Sequence, residues 1–361
     1  MSGNGLTGDQ KKPHPANFGH DIIVIGASAG GVETLSRLVS DLPGDLPAAL
    51  FIVLHIPPDS PSLLPSILNR HSQLKALHPD DNTPIERGYI YIAPPNNHLI
   101  IEGNNVRIIR GPRENRHRPA VDPLFRSAAY TYGSRVIGII LSGALDDGTA
   151  GLLAIKRQGG LAVVQDPKEA FYTGMPSSAI QNVNVNYICP VGEMGFLLQR
   201  LVLEPAFIST PPKPNGVIRK EIKVAEFDIN TIEDDNRPGD PSQFSCPECG
   251  GVLWEIQDGE LARYRCRVGH AFSVESMQAE QVAALENALW VALKTIEENI
   301  SLTKRMIKTA RERQQSWLIK RFEERMADAE QNARVLRDVI AKSRVIDEPD
   351  ELGAPKKAQA S

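Results

Sequence analysis

The chain has 361 residues, enough for two or three domains, and its 41% hydrophobic and 23% charged residues are ordinary for a soluble globular protein. A net charge of -4 gives no electrostatic footprint for nucleic acid. No apolar run approaches the ~20 residues that span a bilayer, so membrane insertion is not expected.

Residues 1–20 are polar and lack the apolar core of a signal peptide. They read as a disordered tail, and a cytoplasmic location is the default expectation. From 21 to 205, short β-rich runs alternate with amphipathic helical stretches. Strands are expected at 21–26 (DIIVIG), 49–55, 88–93, 135–142 and 161–165, with helices at 32–42 and 121–131 between some of them. That alternation predicts an α/β fold: a doubly wound, mostly parallel sheet with helices on both faces. The stretch 98–110 differs, because two strand-like runs flank Gly103-Asn104-Asn105 as in a hairpin.

Gly26-Ala27-Ser28-Ala29-Gly30-Gly31 follows the first strand and opens a helix, the context of a G-x-S-x-G nucleophile turn. Small neighbours allow a sharp turn that lifts the serine hydroxyl above the sheet edge. The Ala29 amide, at the helix start, can then stabilise an oxyanion. A phosphate-binding glycine loop is the rival, but Ser28 occupies its middle glycine position and the second strand ends in His55 rather than an acidic ribose ligand. His55 stands where open α/β sheets line their crevice and can act as a general base, or serve structure alone. Asp146-Asp147 follows another buried strand before a helix. One aspartate can cap that helix while the other orients the imidazole.

These motifs together resemble the catalytic domain of the chemotaxis protein-glutamate methylesterases (CheB-type). The resemblance runs over 21–205 and rests on DIIVIGASAGG, VLHIPP, GYIYIAPPNNH, GPRENRHRPAVDPLF, GIILSGALDDGTAG and GMPSSA. It implies a Ser-His-Asp triad of Ser28, His55 and Asp147, since the family acid directly precedes the glycine of its motif. The second oxyanion amide falls on Ala144, where relatives commonly carry Met; Ala29 replaces a common Thr. Arg116 and His117, with Arg118 and Pro119 of the same motif, are read either as loop structure or as substrate-positioning groups. Met175 is read as a pocket or core residue. The implied reaction is hydrolysis of glutamate methyl esters with release of methanol, and similar enzymes also deamidate glutamine. The implied partner is a methylated chemoreceptor or related signalling protein, with a methyltransferase or sensor kinase beside it. Typical members carry an N-terminal receiver domain; only twenty polar residues precede the first strand here, so none is expected in this chain.

Beyond 205 the texture changes. Residues 206–243, rich in proline and acidic groups, read as a linker. A small module at 244–272 follows, with Cys246-x2-Cys249 and, after sixteen intervening residues, Cys266-x3-His270. That spacing suits a tetrahedral, structural zinc-ribbon-like site, and catalysis needs no cofactor. An unmetallated insert is the alternative. The fourth cysteine, Cys189, is expected to be a buried thiol. Arg263, Arg265 and Arg267 are a weak basic footprint. Residues 273–345 are patterned as helix throughout, with a turn near 311–316 making a helical hairpin; a single long helix or a coiled-coil homodimer is the alternative. Residues 346–361 read as a second disordered tail. A scaffold that keeps the esterase fold and recruits partners through the zinc-helical half is the rival to an enzyme.

Overall fold

The computed structural model describes residues 19–206, 216–226, 228, 231, 239–259 and 261–343. Residues 1–18 and 346–361, expected as tails, lie outside the described residues. Gly19 and His20 do not belong to a tail: Gly19 bridges Pro205, and His20 is buried.

In chain order the first part runs β1 (Ile22–Ala27), α1 (Gly31–Ser40), β2 (Ala49–Leu54), α2 (Leu64–His71), β3 (Lys75–Leu77), β4 (Thr83–Pro84), β5 (Tyr89–Ile92), β6 (His98–Glu102) and β7 (Asn105–Ile109). It continues with α3 (Val121–Tyr132), β8 (Val136–Ile140), α4 (Thr149–Arg157), β9 (Leu161–Gln165), α5 (Gly174–Asn182), β10 (Tyr187–Cys189) and α6 (Val191–Leu201). A seven-stranded sheet in the order β10-β9-β8-β1-β2-β5-β3 has every pairing parallel. Its central strands are buried on both faces, as parallel strands between helical layers must be. Alternate residues serve opposite cores: Ile23 and Ile25 pack with α1, α2 and α6, whereas Ile22 and Val24 pack with α3, α4 and α5. The expected hairpin is β6-β7, which pairs with β4 in a separate sheet. Cys189 is buried, and burial pushes its thiol up to about 11.

The linker reading is corrected. Residues 216–225 form a helix, α7 (Gly216–Ala225), packed on α3. Ile218, Ile222 and Ala225 recur at steps of four and three, a helical signal that the flanking prolines obscured. Of that stretch, 207–215, 227, 229–230 and 232–238 lie outside the described residues. The cysteine-bearing module is a four-stranded antiparallel sheet of β11 (Asp240–Ser245), β12 (Val252–Asp258), β13 (Leu261–Cys266) and β14 (Ala271–Ser273). Leu253, Tyr264, Phe272 and Met277 fill its small core.

This module and the sheet domain share one compact unit. Glu114 bridges Ala271 of β14, with the Asn115 amide donating to the Ala271 carbonyl at 2.8 Å and the Ala271 amide donating to Arg113 at 3.2 Å. Behind this pairing lies a buried ion cluster. Glu114 takes Arg126 at 2.5 Å and Arg265 at 3.0 Å; Glu221 takes Arg263 at 2.6 Å and Arg265 at 3.3 Å. Arg263 and Arg265 are 6% and 5% exposed, so these two arginines are interior counter-ions and not a nucleic-acid surface.

Residues 278–343 belong to a second unit of two helices, most of α8 (Val274–Glu312) and all of α9 (Ser316–Ser343). The ion pairs Glu297–Arg337, Lys304–Glu330 and Arg311–Glu323 run antiparallel, and Leu293, Ile300, Ala333 and Ile340 pack between them. Gln314, with φ 54, reverses the chain within the expected stretch without glycine or proline. The single long helix is therefore excluded.

Removing Glu221 leaves two buried guanidinium groups short of a partner. Glu221→Ala is expected to lower the unfolding free energy by about 3–5 kcal/mol in urea titrations. A loss below about 1 kcal/mol would show that the cluster does not anchor the module.

Candidate active site

Three adjacent strands, β8, β1 and β2, end at the same edge of the sheet. Ala27 and Leu54 form the last register pair of β1 and β2, so Ser28 and His55 are the next residues on neighbouring strand ends. The His55 amide donates to the Ala27 carbonyl at 3.1 Å, and the Ser28 amide donates to Ser142 at 3.0 Å, beyond β8. Gly30, at φ 74, takes the left-handed conformation that opens α1; the serine itself is not among the positive-φ residues. Gly26 admits α3, because a Cβ there would stand 2.4 Å from a Val121 methyl.

His55 Nε2 lies 2.8 Å from Asp147 Oδ2. Its other ring nitrogen, Nδ1, is buried and has no hydrogen-bond partner among the described residues. Asp147 is 2% exposed and accepts further bonds from the Val121 amide at 2.7 Å, Asn115 Nδ2 at 2.9 Å and the Asp122 amide at 3.3 Å. Burial opposes its ionisation, but the His55 hydrogen bond and charge and the Val121 amide outweigh burial and hold the carboxyl below its usual range. Asp147, not Asp146, thus meets the histidine. Asp146 takes the hydroxyl of Ser273 at 2.7 Å, and burial pushes it up to about 7.

His117 stacks face to face on His55, with ring centroids 3.6 Å apart and planes 11° apart. Burial and the neighbouring His55 lower its pKa to about 3, so the stacked ring stays neutral. Arg116, half-buried at φ 72, belongs to the same tight loop. The pocket reading of Met175 is corrected: it is 0% exposed, and its sulfur lies against Gly143, beneath the Gly143–Leu145 loop. Its amide donates to the Gly143 carbonyl at 2.9 Å. Among the described residues, the amides of Ala29 and Ala144 have no hydrogen-bond acceptor, which leaves both available to a ligand oxygen. Ala29, Gly30, Phe171 and Tyr172 help line an adjoining cleft of about 570 Å³. Phe171, 80% exposed, carried no sequence signal. Asn115 lies within the 111–125 motif, but its bonds to Asp147 and Ser273 join stretches far apart in the chain.

Cys246, Cys249, Cys266 and His270 also converge, with their ligand atoms all within 4.8 Å of one another. The four residues form a cluster able to hold a metal ion.

A family model described as CheB methylesterase matches residues 23–198. A Leptospira interrogans protein, described as a candidate protein-glutamate methylesterase/protein-glutamine glutaminase, is 39% identical over 50% of this chain and 95% of its own length. The chain belongs to the CheB methylesterase family. A Geobacter metallireducens protein-glutamate methylesterase/protein-glutamine glutaminase is 40% identical over 48% of each chain, so this CheB-family chain spans about half the length of that longer relative. The Thermotoga maritima CheB methylesterase catalytic domain, a crystal structure, is 32% identical over 50% of this chain and 98% of that one, with a TM-score of 0.48. All of these matches fall on about half of the present CheB-family chain.

No helix among the described residues is long and apolar enough to cross a membrane.

The raised Asp146 carboxyl has a pH signature. Its folded value, about 7, lies above the ordinary 3.8, so the folded state binds the proton more tightly and its contribution to stability falls as pH rises between the two. Asp146→Asn is therefore expected to gain stability over the parent between about pH 4 and 8, with the difference vanishing near pH 4. Urea unfolding across that range tests this; parallel curves would contradict it.

Proposed function

We propose that this chain is a serine esterase that hydrolyses glutamate methyl esters on a chemoreceptor-like signalling protein, releasing methanol. The observation that carries the reading is the 2.8 Å bond from His55 to a buried Asp147, with the opposite ring nitrogen unpartnered and Ser28 at the neighbouring strand end. Asp147 holds the neutral imidazole with its proton on Nε2, which leaves Nδ1 as the base. Nδ1 takes the Ser28 proton as Oγ attacks the ester carbonyl. The Ala29 and Ala144 amides stabilise the tetrahedral oxyanion. The imidazolium returns its proton to the departing methoxide, giving methanol and an acyl-serine. Water, activated by the same nitrogen, then frees the glutamate carboxylate. A glutamine side chain would follow the same course with ammonia as leaving group. Because His117 remains neutral, the imidazolium forms against an uncharged ring.

Arg116 stands as a substrate-positioning candidate on the same loop, and the cleft at Phe171 is a docking place for the methylated protein segment. A cytoplasmic location, a methyltransferase or sensor kinase as working partner, and a homodimer through the C-terminal helices complete this reading.

The cysteine module fits zinc. Cys246 and Cys266 sulfurs lie 3.7 and 3.6 Å from His270 Nδ1, and Cys249 and Cys266 sulfurs lie 3.7 Å apart. A tetrahedron with Zn–S arms of about 2.3 Å has edges of about 3.8 Å. Glu248 sits 3.3 Å from His270 Nε2, where it accepts that N–H and turns Nδ1 toward the thiolates. Four protein ligands leave no open position, so the ion would serve structure by offsetting the module's small core.

Methanol release from a methylated receptor is expected to fall by about 10³-fold or more in Ser28→Ala. Equal release by the two proteins would refute the nucleophile assignment. Purified protein is expected to carry stoichiometric zinc, and Cys249→Ser to lose it together with the β11–β14 fold; an intact fold without metal would remove the zinc assignment.

A further inference from the structure

Asn115 uses its whole hydrogen-bonding capacity within the protein. One N–H of its amide reaches Asp147 Oδ1 at 2.9 Å and the other reaches Asp122 Oδ2 at 2.9 Å. Its carbonyl oxygen accepts from the Ser273 backbone amide at 3.0 Å and from the Ser276 hydroxyl at 3.1 Å. With carboxylates on one side and N–H and O–H donors on the other, the amide has one orientation. Asn115 is 5% exposed, and both serines are buried. Ser273 and Ser276 are themselves locked at the start of α8: the Ser276 amide donates to Ser273 Oγ at 3.0 Å, and the Ser273 amide lies 2.9 Å from Ser276 Oγ.

The backbone supports the same contact. Asn115 and Arg116 adopt φ of 49° and 72°, a left-handed pair that β-bridging to Ala271 holds in place. The next residue, His117, is the ring stacked on His55. The loop that touches two members of the proposed triad is thus fastened on its outer side by β14 and the first turn of α8, elements outside the 23–198 match.

We infer that Ser276 is a positioning residue for the esterase site: its hydroxyl, with the Ser273 backbone amide, acts through Asn115 to fix the Asp147 carboxylate, so the cysteine-bearing module completes the active centre of the domain it abuts. This rests on the triad reading. The module is therefore a lever on catalysis, because any event that lifts β14 frees Asn115 and lets Asp147 and His55 turn away from the serine.

The test measures two rates on the full chain: methanol release, and covalent labelling of Ser28 by a fluorophosphonate, which reports serine activation whatever the natural ester. Asn115→Ala is expected to lower both by about 10–100-fold, the cost typical of removing a group that orients an active-site ligand, with KM changed less than about twofold. Ser276→Ala, which removes the hydroxyl bonded to Asn115 and leaves the Ser273 backbone amide in place, is expected to lower both by about tenfold, with Ser276→Thr retaining most of the rate. In the Asn115→Ala background Ser276→Ala should add less than about twofold, because the path through Asn115 is already cut. Unchanged unfolding midpoints would separate positioning from loss of fold. Full labelling of Ser276→Ala, or losses that multiply with Asn115→Ala, would overturn the inference while leaving Ser28 as nucleophile. Labelling without methanol release would remove the methyl ester as substrate and leave the positioning role standing. A wild-type chain that does not label at Ser28 would remove both.

Discussion

A carboxylate taken out of water costs several kcal/mol unless its charge is answered, and Asp147 is answered from several separate stretches of chain. His55 comes from the end of β2, the Val121 and Asp122 amides from the first turn of α3, and Asn115 from the loop before it. Each donor has its own reason to be there. Val121 reaches the carboxylate because Gly26 has no side chain to hold α3 away from β1. Asn115 reaches it because β14 and the start of α8 hold the amide from behind. The acid is therefore a junction of the sheet, the helical layer and the cysteine module.

The same logic explains the ion cluster beside it. Glu114, Arg126, Glu221, Arg263 and Arg265 lie buried within the first compact unit, and each is tolerable only while its partners stay. Glu114 directly precedes Asn115, and Arg265, which meets Glu114 and shares Glu221 with Arg263, directly precedes Cys266 of the metal-fitting cluster. Charge pairing, backbone bridging and the Asn115 amide thus converge on one short loop. The contacts from the module to Asn115, and from Asn115 to the proposed triad, are direct.

Much of the site was legible in the linear sequence because it depends on local rules. Short apolar runs separated by amphipathic stretches mark parallel strands and covering helices, and chemistry at strand carboxyl ends follows from how such sheets are wound. Ser28, His55 and Asp147 could be picked on those grounds together with the family motifs. The cysteine spacing is likewise local. Asn115 was not legible, because an asparagine in a polar loop looks the same whether it faces water or two carboxylates. Arg263 and Arg265 read as surface charge for the same reason: burial of an arginine is decided by its partners, here on α7, β12 and the 113–117 loop. Residues 216–225 passed as linker because flanking prolines outweighed a short helical period. Whether Met175 lines a pocket or the core depends on Gly143, which packs against its sulfur from a distant loop.

The sequence alone determined the alternating strand-helix order, the identity of the serine, histidine and aspartate at three strand ends, and the ligand set of a metal-fitting cluster. These are properties of period and spacing, which the backbone enforces residue by residue. Only the tertiary structure decided that His117 stacks on His55, and that Ser273 and Ser276 stand behind Asn115 more than 150 residues away in the chain. Such contacts arise from packing of elements whose separation in sequence carries no record of their distance in space.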